Sequence, residues 1–342
     1  MPPGRIILAL LPPILLLTLT IDASAQTFVV GDRAATVTNA NIRAGGLMAG
    51  DSISFQGNVS VAAGAGVTID PILSGLSFSV EAGSSISSQA IGFAVGPLVL
   101  LPAPPVFDGS FSNQGTITSS DADGVAFLSE FTGSFFNSGQ ISAGNSGPPS
   151  AGVIFLGNFD GRFENTGTIE GLSGADGVVF GFDFGSSAIF LNSGVITGTF
   201  DGVYVENDFN GSGQNTGTII GEVGGVFIDD DLNGSFENAG TIIGRNEDGF
   251  AVFEELNGSV TNSGLIQGDL DGVFVGTDLT GSFENTGTIL GLTEDGFEVG
   301  RDFTGTFINR GTIEGRGAGE EGFEVLRNFS GTAINYGTIQ GA

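Results

Sequence analysis

The chain of 342 residues contains no cysteine, histidine, lysine or tryptophan. The lack of cysteine excludes disulfides, a thiol nucleophile and cysteine-ligated zinc sites. The lack of histidine removes the usual general base and the commonest transition-metal ligand, which excludes most hydrolytic triads and metalloenzyme sites. All nine basic residues are arginine, against 38 acidic residues, and the net charge is -29. Such a surface repels nucleic-acid phosphates and attracts cations, so we expect no nucleic-acid partner.

Residues 1–25 have the pattern of a secretory signal peptide. Arg5 precedes an apolar run from Ile6 to Ile21, and Ala23-Ser24-Ala25 follows that run. We expect cleavage after Ala25 and export of the mature chain. A membrane anchor is the alternative, but the run is short for a membrane span and is interrupted by Pro12 and Pro13.

Most of the remaining sequence is a repeat with the frame Asn-x-Gly-x-Ile. The frame occurs ten times, at steps of 23 to 28 residues. A fixed period in this range indicates a solenoid or another repeat array. The framing asparagines are Asn113, Asn137, Asn165, Asn192, Asn215, Asn238, Asn262, Asn285, Asn309 and Asn335.

Apolar residues alternate with small or polar ones in short bursts between glycines, which is the pattern of strands joined by turns. One burst pairs positions such as Val125 and Phe127, and a second places Phe or Leu after an acidic or amide residue, as in Asp208-Phe209. A third places Phe two residues before the framing asparagine and Ile four residues after it. Three bursts per copy predict an all-β fold, a parallel β-helix (solenoid) with about ten regular rungs of roughly 23 residues plus irregular N-terminal turns.

We interpret the framing asparagines as a structural ladder at a corner of the coil. In stacked rungs, equivalent side chains lie above one another, so each amide can bond to the rungs above and below. The glycine two residues later is expected to adopt a backbone conformation that other residues resist. Chain length varies mainly just after Ile-x-Gly, so we expect insertions at that one corner.

The sequence divides into three regions: the signal peptide 1–25, an irregular N-terminal part 26–106, and the regular repeats 107–342. The second region contains alternating segments at 52–55, 59–61, 67–69 and 76–80, which we predict to be strands of the first turns and cap. Its segment GPLVLLPAPPVF, from Gly96 to Phe107, is too rich in proline for a central strand. We expect a loop there that packs on the solenoid or contacts a partner.

Acidic residues recur in two columns. One precedes the repeat glycine and provides the metal candidates, Asp176, Asp201, Asp248, Asp271 and Asp295, with Asp123 and Glu321 in the same place. Stacked carboxylates repel one another, so weak calcium binding through oxygen ligands is one hypothesis, although no calcium-roll nonapeptide is present. The simpler interpretation is that these aspartates accept hydrogen bonds from turn amides on a solvated corner. The second column is Glu130, Asp183, Asp208, Asp231, Glu255, Asp278 and Asp302.

Other interpretations of the repeat are less favoured. A carboxylate pair that cleaves polysaccharide should break the repeat, whereas these carboxylates belong to it. The Asn-x-Ser sequons at Asn210, Asn233 and Asn257 coincide with the repeat's own turns. A threonine array that binds ice or sugar is interrupted by Gln140, Val195 and Leu265; its members are Thr168, Thr218, Thr241, Thr288, Thr312 and Thr338.

The repeated FxNxGTIxG followed by DGVxF resembles the passenger repeats of bacterial autotransporter and haemagglutinin-like surface adhesins, over about residues 107–342. The resemblance implies a right-handed parallel β-helix displayed on a Gram-negative outer surface, secreted or associated with the outer membrane. Such proteins usually end in a membrane β-barrel translocator, whereas this chain stops at Gly341-Ala342 within a rung. It would then be a fragment, a passenger with a separate translocator partner in the outer membrane, or a free solenoid. Self-association through the terminal rung is also expected of an uncovered strand edge.

The sequence therefore predicts an exported, non-enzymatic β-helical surface protein, an adhesin-like passenger or stalk without catalytic residues or a cofactor. Its partner would be a host or environmental surface ligand such as a glycan or a protein. The alternative is a secreted β-helix that binds or cleaves polysaccharide.

Overall fold

The computed structural model describes residues 5–9, 16–20, 27–33, 37–38, 49–69, 74–96, 106–144 and 150–342. All regular secondary structure in these ranges is β-strand, so none of them provides a helix that could cross a membrane. Residues 97–105 of the proline-rich loop predicted from Gly96 to Phe107, and much of the predicted signal peptide, lie outside the described residues. The end of that prediction is wrong, because Val106–Phe107 forms a short strand. The chain forms two compact units, Met1–Ala175 and Asp176–Ala342.

The first unit contains strands of three parallel sheets. Sheet one contains Thr27–Val30, Ser52–Phe55, Ser77–Val80, Ser110–Asn113, Ser134–Asn137 and Arg162–Asn165. Sheet two contains Asn58–Val61, Ser85–Ser88, Thr116–Ser119, Gln140–Ala143 and Thr168–Gly171, and sheet three contains Val37–Thr38, Val67–Ile69, Phe93–Val95, Val125–Phe127 and Ala151–Phe155. Val106–Phe107 pairs in parallel with Glu130–Phe131, and Arg5–Ala9 pairs antiparallel with Leu16–Thr20.

The second unit repeats the same three-sheet arrangement. Its sheet-one strands are Ile189–Asn192, Ser212–Asn215, Ser235–Asn238, Ser259–Asn262, Ser282–Asn285, Thr306–Asn309 and Thr332–Asn335. Sheet two contains Val195–Gly198, Thr218–Gly221, Thr241–Gly244, Leu265–Gly268, Thr288–Gly291, Thr312–Gly315 and Thr338–Gln340. Sheet three contains Asp176–Phe180, Val203–Val205, Val226–Ile228, Phe250–Val252, Val273–Val275, Phe297–Val299 and Glu324–Val325, and Asp302–Phe303 pairs with Asn328–Phe329.

Each unit is a coil in which every turn adds one strand to each sheet. The prediction of an all-β parallel β-helix is confirmed, and its handedness stays a prediction. The N-terminal strands belong to the same coil, because Ser77–Val80 pairs in register with Ser110–Asn113. The predicted strands at 52–55, 59–61, 67–69 and 76–80 are all present, within one residue of the predicted bounds.

Alternation along the strands sends the apolar residues inward, where equivalent side chains stack. In the first unit, the rings of Phe135 and Phe163 are parallel, with centroids 5.0 Å apart. In the second unit, the inward isoleucines of sheet two from Ile196 to Ile313, such as Ile242 and Ile266, are completely buried. The core is therefore a set of side-chain columns, as the repeat predicts.

The assignment of bursts to strands differs from the prediction in one respect. The third burst spans two strands, one in sheet one and one in sheet two, with the framing asparagine at the end of the first. The second burst mostly forms single bridges, such as Phe209 with Leu232 and Leu232 with Leu256. Its residues turn a corner, so the chain stays extended there for too short a distance to form a longer strand.

Candidate functional site

The framing asparagines form a continuous hydrogen-bonded row within each unit. In the second unit, Nδ2 of Asn215 donates to Oδ1 of Asn238 at 2.8 Å, and Asn238 donates to Asn262 at 2.8 Å. In the first unit, Asn113 donates to Asn137 at the same distance. The side chains of Asn215, Asn238 and Asn262 are almost completely buried. Their amides therefore stabilise the corner and are not offered to a ligand.

The glycine two residues after each framing asparagine is required for a reason that the sequence did not indicate. We predicted an unusual backbone conformation, but none of these glycines has a positive φ in the described ranges. Instead, a Cβ atom on Gly240 would lie 2.1 Å from the carbonyl oxygen of Gly217, in the neighbouring rung. The corner backbones stack too closely for any side chain, so the predicted reason is wrong.

The aspartates that we considered as metal ligands form a second row. Oδ1 of Asp176 accepts the backbone N–H of Asp201 at 2.8 Å, and Oδ1 of Asp271 accepts that of Asp295 at 2.8 Å. Asp248 and Asp295 accept equivalent bonds from Asp271 and Glu321 at 3.0 and 2.7 Å. The role as acceptor from turn amides agrees with the simpler interpretation. The prediction that they lie on a solvated corner is wrong, because these five aspartates, including Asp201, are only 2 to 8% exposed.

Burial without a cationic partner raises the pKa values of this row. Desolvation is the main cause throughout, and it raises the pKa of Asp176 and Asp295 to about 6. The pKa is about 7 for Asp201 and Asp248 and about 8 for Asp271, where the charges of Asp248 and Glu298 add to the effect of burial. Near neutral pH several of these carboxyl groups are therefore partly protonated.

Two groups of carboxylates are close enough to share a cation. Asp271, Asp295 and Glu298 form one group, and Asp295, Glu320 and Glu321 form the other. Asp176, Asp201 and Asp248 belong to neither group among the described residues. Because Asp271 and Asp295 already accept backbone N–H groups, calcium binding stays a hypothesis. A comparison of the melting temperature in millimolar calcium and in chelator tests it.

The second acidic column has a similar structural use. Oδ1 of Asp278 accepts the backbone N–H of Asp302 at 3.0 Å, and Arg301 binds both oxygens of the Asp278 carboxylate at 2.8 and 2.6 Å. The side-chain hydrogen bond from Arg301 holds the pKa of Asp278 below its ordinary value. This carboxylate is therefore an ionised structural partner.

Sequence reasoning missed a patch of aromatic and acidic side chains on the outer face of sheet three in the second unit. We call it the aromatic-acidic face; it consists of Tyr204, Phe227, Phe253, Phe274, Glu206, Asp229 and Glu298. The rings of Phe227 and Phe253 are stacked with centroids 5.2 Å apart, and Phe253 and Phe274 meet edge to face at 5.9 Å. The signal was present in the sequence, because Tyr204, Phe227 and Phe274 stand between the inward residues of their strands, where alternation favours polar residues.

Other outward-facing positions carry hydroxyl groups. In the first unit, a groove of about 510 Å³ is lined by hydroxyl-bearing side chains that include Ser87, Thr118 and Ser120, together with Gln89 and Asp121. The predicted threonine column lies half-buried along sheet two in each unit, except for Thr338, which is exposed. The sequon asparagines bond to one another, Asn233 to Asn210 at 3.0 Å and Asn257 to Asn233 at 3.1 Å.

Comparison with known proteins does not extend this description. No family model, curated protein or solved structure matches the chain.

Proposed function

We propose that this protein is an exported, non-enzymatic β-helical surface protein that serves as an adhesin-like passenger or stalk. The observation that carries the proposal is the use of the repeated carboxylates. Each metal-candidate aspartate is buried and accepts a backbone N–H from the neighbouring rung, as Asp176 does from Asp201. Carboxylates fixed in this way support a long scaffold and are poorly placed to reach a substrate.

Export is supported by the sequence of residues 1–25, with its apolar run and the small residues Ala23 and Ala25. The net charge of -29 supports a role in which the chain remains dispersed in an aqueous environment. The ligand would then bind to an outward-facing surface of the coil.

Expression of the whole chain in a Gram-negative host, followed by protease treatment of intact cells, tests the location. We expect the protein at the cell surface or in the medium, with residues 1–25 removed from the mature chain. Retention in the cytoplasm with an intact N-terminus would contradict the proposal. Deletion of residues 2–25 provides the control for export.

The alternative is a secreted β-helix that binds or cleaves polysaccharide. The hydroxyl-lined groove beside Ser87 and Thr118 favours this alternative, because such side chains can hydrogen-bond to sugar hydroxyls. Incubation with uronic-acid polymers tests the cleaving form of this alternative, because the surface-protein proposal predicts no release of reducing ends. Release of reducing ends would establish the alternative.

A further inference from the structure

The aromatic-acidic face combines two kinds of group that bind cations, and three of its four rings are accessible, whereas Phe227 is buried. Phe253 is 40% exposed, and Phe274 and Tyr204 are half-buried. Glu206, Asp229 and Phe253 occupy equivalent positions in three successive rungs, because the backbone N–H of Asp229 bonds to Val205 and that of Phe253 bonds to Ile228. The carboxylates of Glu206 and Asp229 and the ring of Phe253 therefore follow one another along the face.

Among the described residues, no arginine forms an ion pair with the carboxylates of this face. The ion pairs formed by described residues of the second unit use other carboxylates, namely Glu222, Glu255, Asp278, Glu284 and Glu314. Asp229 accepts a hydrogen bond from the hydroxyl of Tyr204 instead. The face therefore places carboxylates that have no arginine partner among the described residues beside the exposed ring of Phe253.

Elsewhere in the second unit, an arginine already binds an aromatic ring and a carboxylate together. The guanidinium of Arg310 lies 4.6 Å from the ring centroid of Tyr336, and Nε of Arg310 donates to Glu284 at 3.2 Å. One arginine thus contacts a ring and a carboxylate at once. Guanidinium groups suit this arrangement because they are planar, weakly hydrated and permanently charged.

We propose that the aromatic-acidic face binds an arginine-bearing segment of a protein partner, with guanidinium groups stacked on Phe253 and Phe274 and paired with Asp229 and Glu298. This inference rests on the proposed surface-binding function and names its site and partner chemistry. A neutral or acidic ligand would leave the carboxylates desolvated and unpaired, which is unfavourable. An arginine segment supplies the missing charge and covers the rings in the same contact.

The test uses the full mature chain and a fluorescent peptide of alternating arginine and glycine, at physiological salt, where long-range attraction is screened. A peptide with citrulline in place of arginine keeps the shape and removes the charge. We expect the arginine peptide to bind and the citrulline peptide to fail. A lysine peptide should bind several-fold more weakly, because an ammonium group is more strongly hydrated and lacks the planar fork.

Matched variants distinguish binding at the aromatic-acidic face from non-specific attraction to the negative charge of the whole chain. Phe253→Leu removes the aromatic ring and Phe253→Tyr keeps it, so we expect the first to weaken binding by on the order of tenfold and the second to retain it. Glu298→Gln should weaken binding, whereas Glu237→Gln, an exposed carboxylate on sheet one, should not. Unchanged melting temperatures of the four variants would exclude misfolding as the cause.

Equal binding by Phe253→Leu and Phe253→Tyr, or equal losses from Glu298→Gln and Glu237→Gln, would overturn the inference in favour of non-specific attraction. A soluble glucosamine polymer is the fourth probe; tighter binding of that cationic polymer with dependence on Phe253 would also overturn the inference. The proposed function fails separately, since it requires surface location. A chain that reaches the surface but ignores the arginine peptide would contradict only this inference.

Discussion

At the scale of single residues, Asn238 shows how a polar side chain can stabilise the interior of the coil. It accepts a hydrogen bond from Asn215 and donates one to Asn262, both at 2.8 Å. We expect Asn238→Ala to lower the free energy of unfolding by roughly 2–4 kcal/mol, because the buried amides of Asn215 and Asn262 each lose a hydrogen bond and the carbonyl oxygens of Gly240 and Leu265 lose a donor. Urea unfolding monitored by circular dichroism measures this change.

Asn238→Asp should destabilise the protein more at about pH 8 than at about pH 4.5, because an ionised carboxylate cannot donate to Asn262 and is costly to bury. The matched control is Asn233→Asp in the exposed row, where we expect a change within about 0.5 kcal/mol. A loss at Asn233 as large as that at Asn238 would contradict the role of the buried row.

Gly240 tests the close approach of backbones at the same corner. Gly240→Ala would place its Cβ 2.1 Å from the carbonyl oxygen of Gly217. We expect a loss of about 3 kcal/mol or more, since backbone in neighbouring rungs would have to move apart. Gly319→Ala is the control, because Gly319 has a φ of +94° but open space around it, and only left-handed strain of about 1–2 kcal/mol applies there. Similar losses in urea unfolding at the two positions would rule out the close-approach explanation.

The buried aspartate row gives the protein a defined dependence on pH. Desolvation raises the pKa of Asp248 to about 7, so the folded chain holds this proton more tightly than the unfolded chain does. This contribution to stability is fully present below about pH 4 and is lost as the pH rises through about 7.

Asp248→Asn keeps an oxygen for the N–H of Asp271 and removes the charge. We expect it to raise the free energy of unfolding at about pH 8 by at least about 1 kcal/mol and to change it little at about pH 4.5. Urea midpoints at the two pH values check this, with Glu237→Gln as the exposed control. A variant less stable than the wild type at the higher pH would show that the ionised carboxylate is needed.

At the scale of elements, most strands could be predicted because apolar alternation, glycine and the framing asparagine mark each rung. The strand Ser282–Asn285 illustrates this, since Phe283 and Asn285 point inward and are buried as the pattern requires. The burial of Asp271 could not be predicted, because its hydrogen-bond partner is a residue one full rung away. The exposure of Phe253 was missed for the same reason: it depends on how neighbouring rungs superpose.

Element lengths also explain where the coil accepts insertions. In the second unit, the segment from sheet two to sheet three grows from four residues at 199–202 to eight at 316–323. The corner between sheets one and two always has two residues in that unit, as between Asn238 and Thr241. The asparagine row and the close glycine contacts therefore fix the length of the corner between sheets one and two. The corner between sheets two and three of the second unit has no such constraint and accepts insertions.

A single glycine inserted after Thr293, in the variable corner, should leave the melting temperature within about 4 °C of the wild type. The same insertion after Phe283 shifts Asn285 to the opposite face of its strand, because side-chain direction alternates with every residue. We expect that variant to lose cooperative thermal unfolding. If differential scanning calorimetry shows that both insertions are tolerated equally, the assignment of Phe283 and Asn285 to the inward face of one strand would be contradicted.

At the scale of the whole molecule, the chain combines tightly stacked apolar columns with a net charge of -29. The sequence could predict the coil, because its repeat is long and regular. It could not predict the aromatic-acidic face, because outward residues vary from rung to rung and gain meaning only when the rungs are stacked.

The absence of cysteine allows pairs of spin labels to measure the coil directly. Thr218, Thr312 and Thr338 are equivalent residues of sheet two; four strand pairings separate Thr218 from Thr312, and a fifth leads to Thr338. With cysteines introduced at these positions, we expect label distances near 19 Å for the 218–312 pair and near 24 Å for the 218–338 pair, about 4.8 Å more per rung. Distances that do not increase by this step would contradict the parallel β-helix.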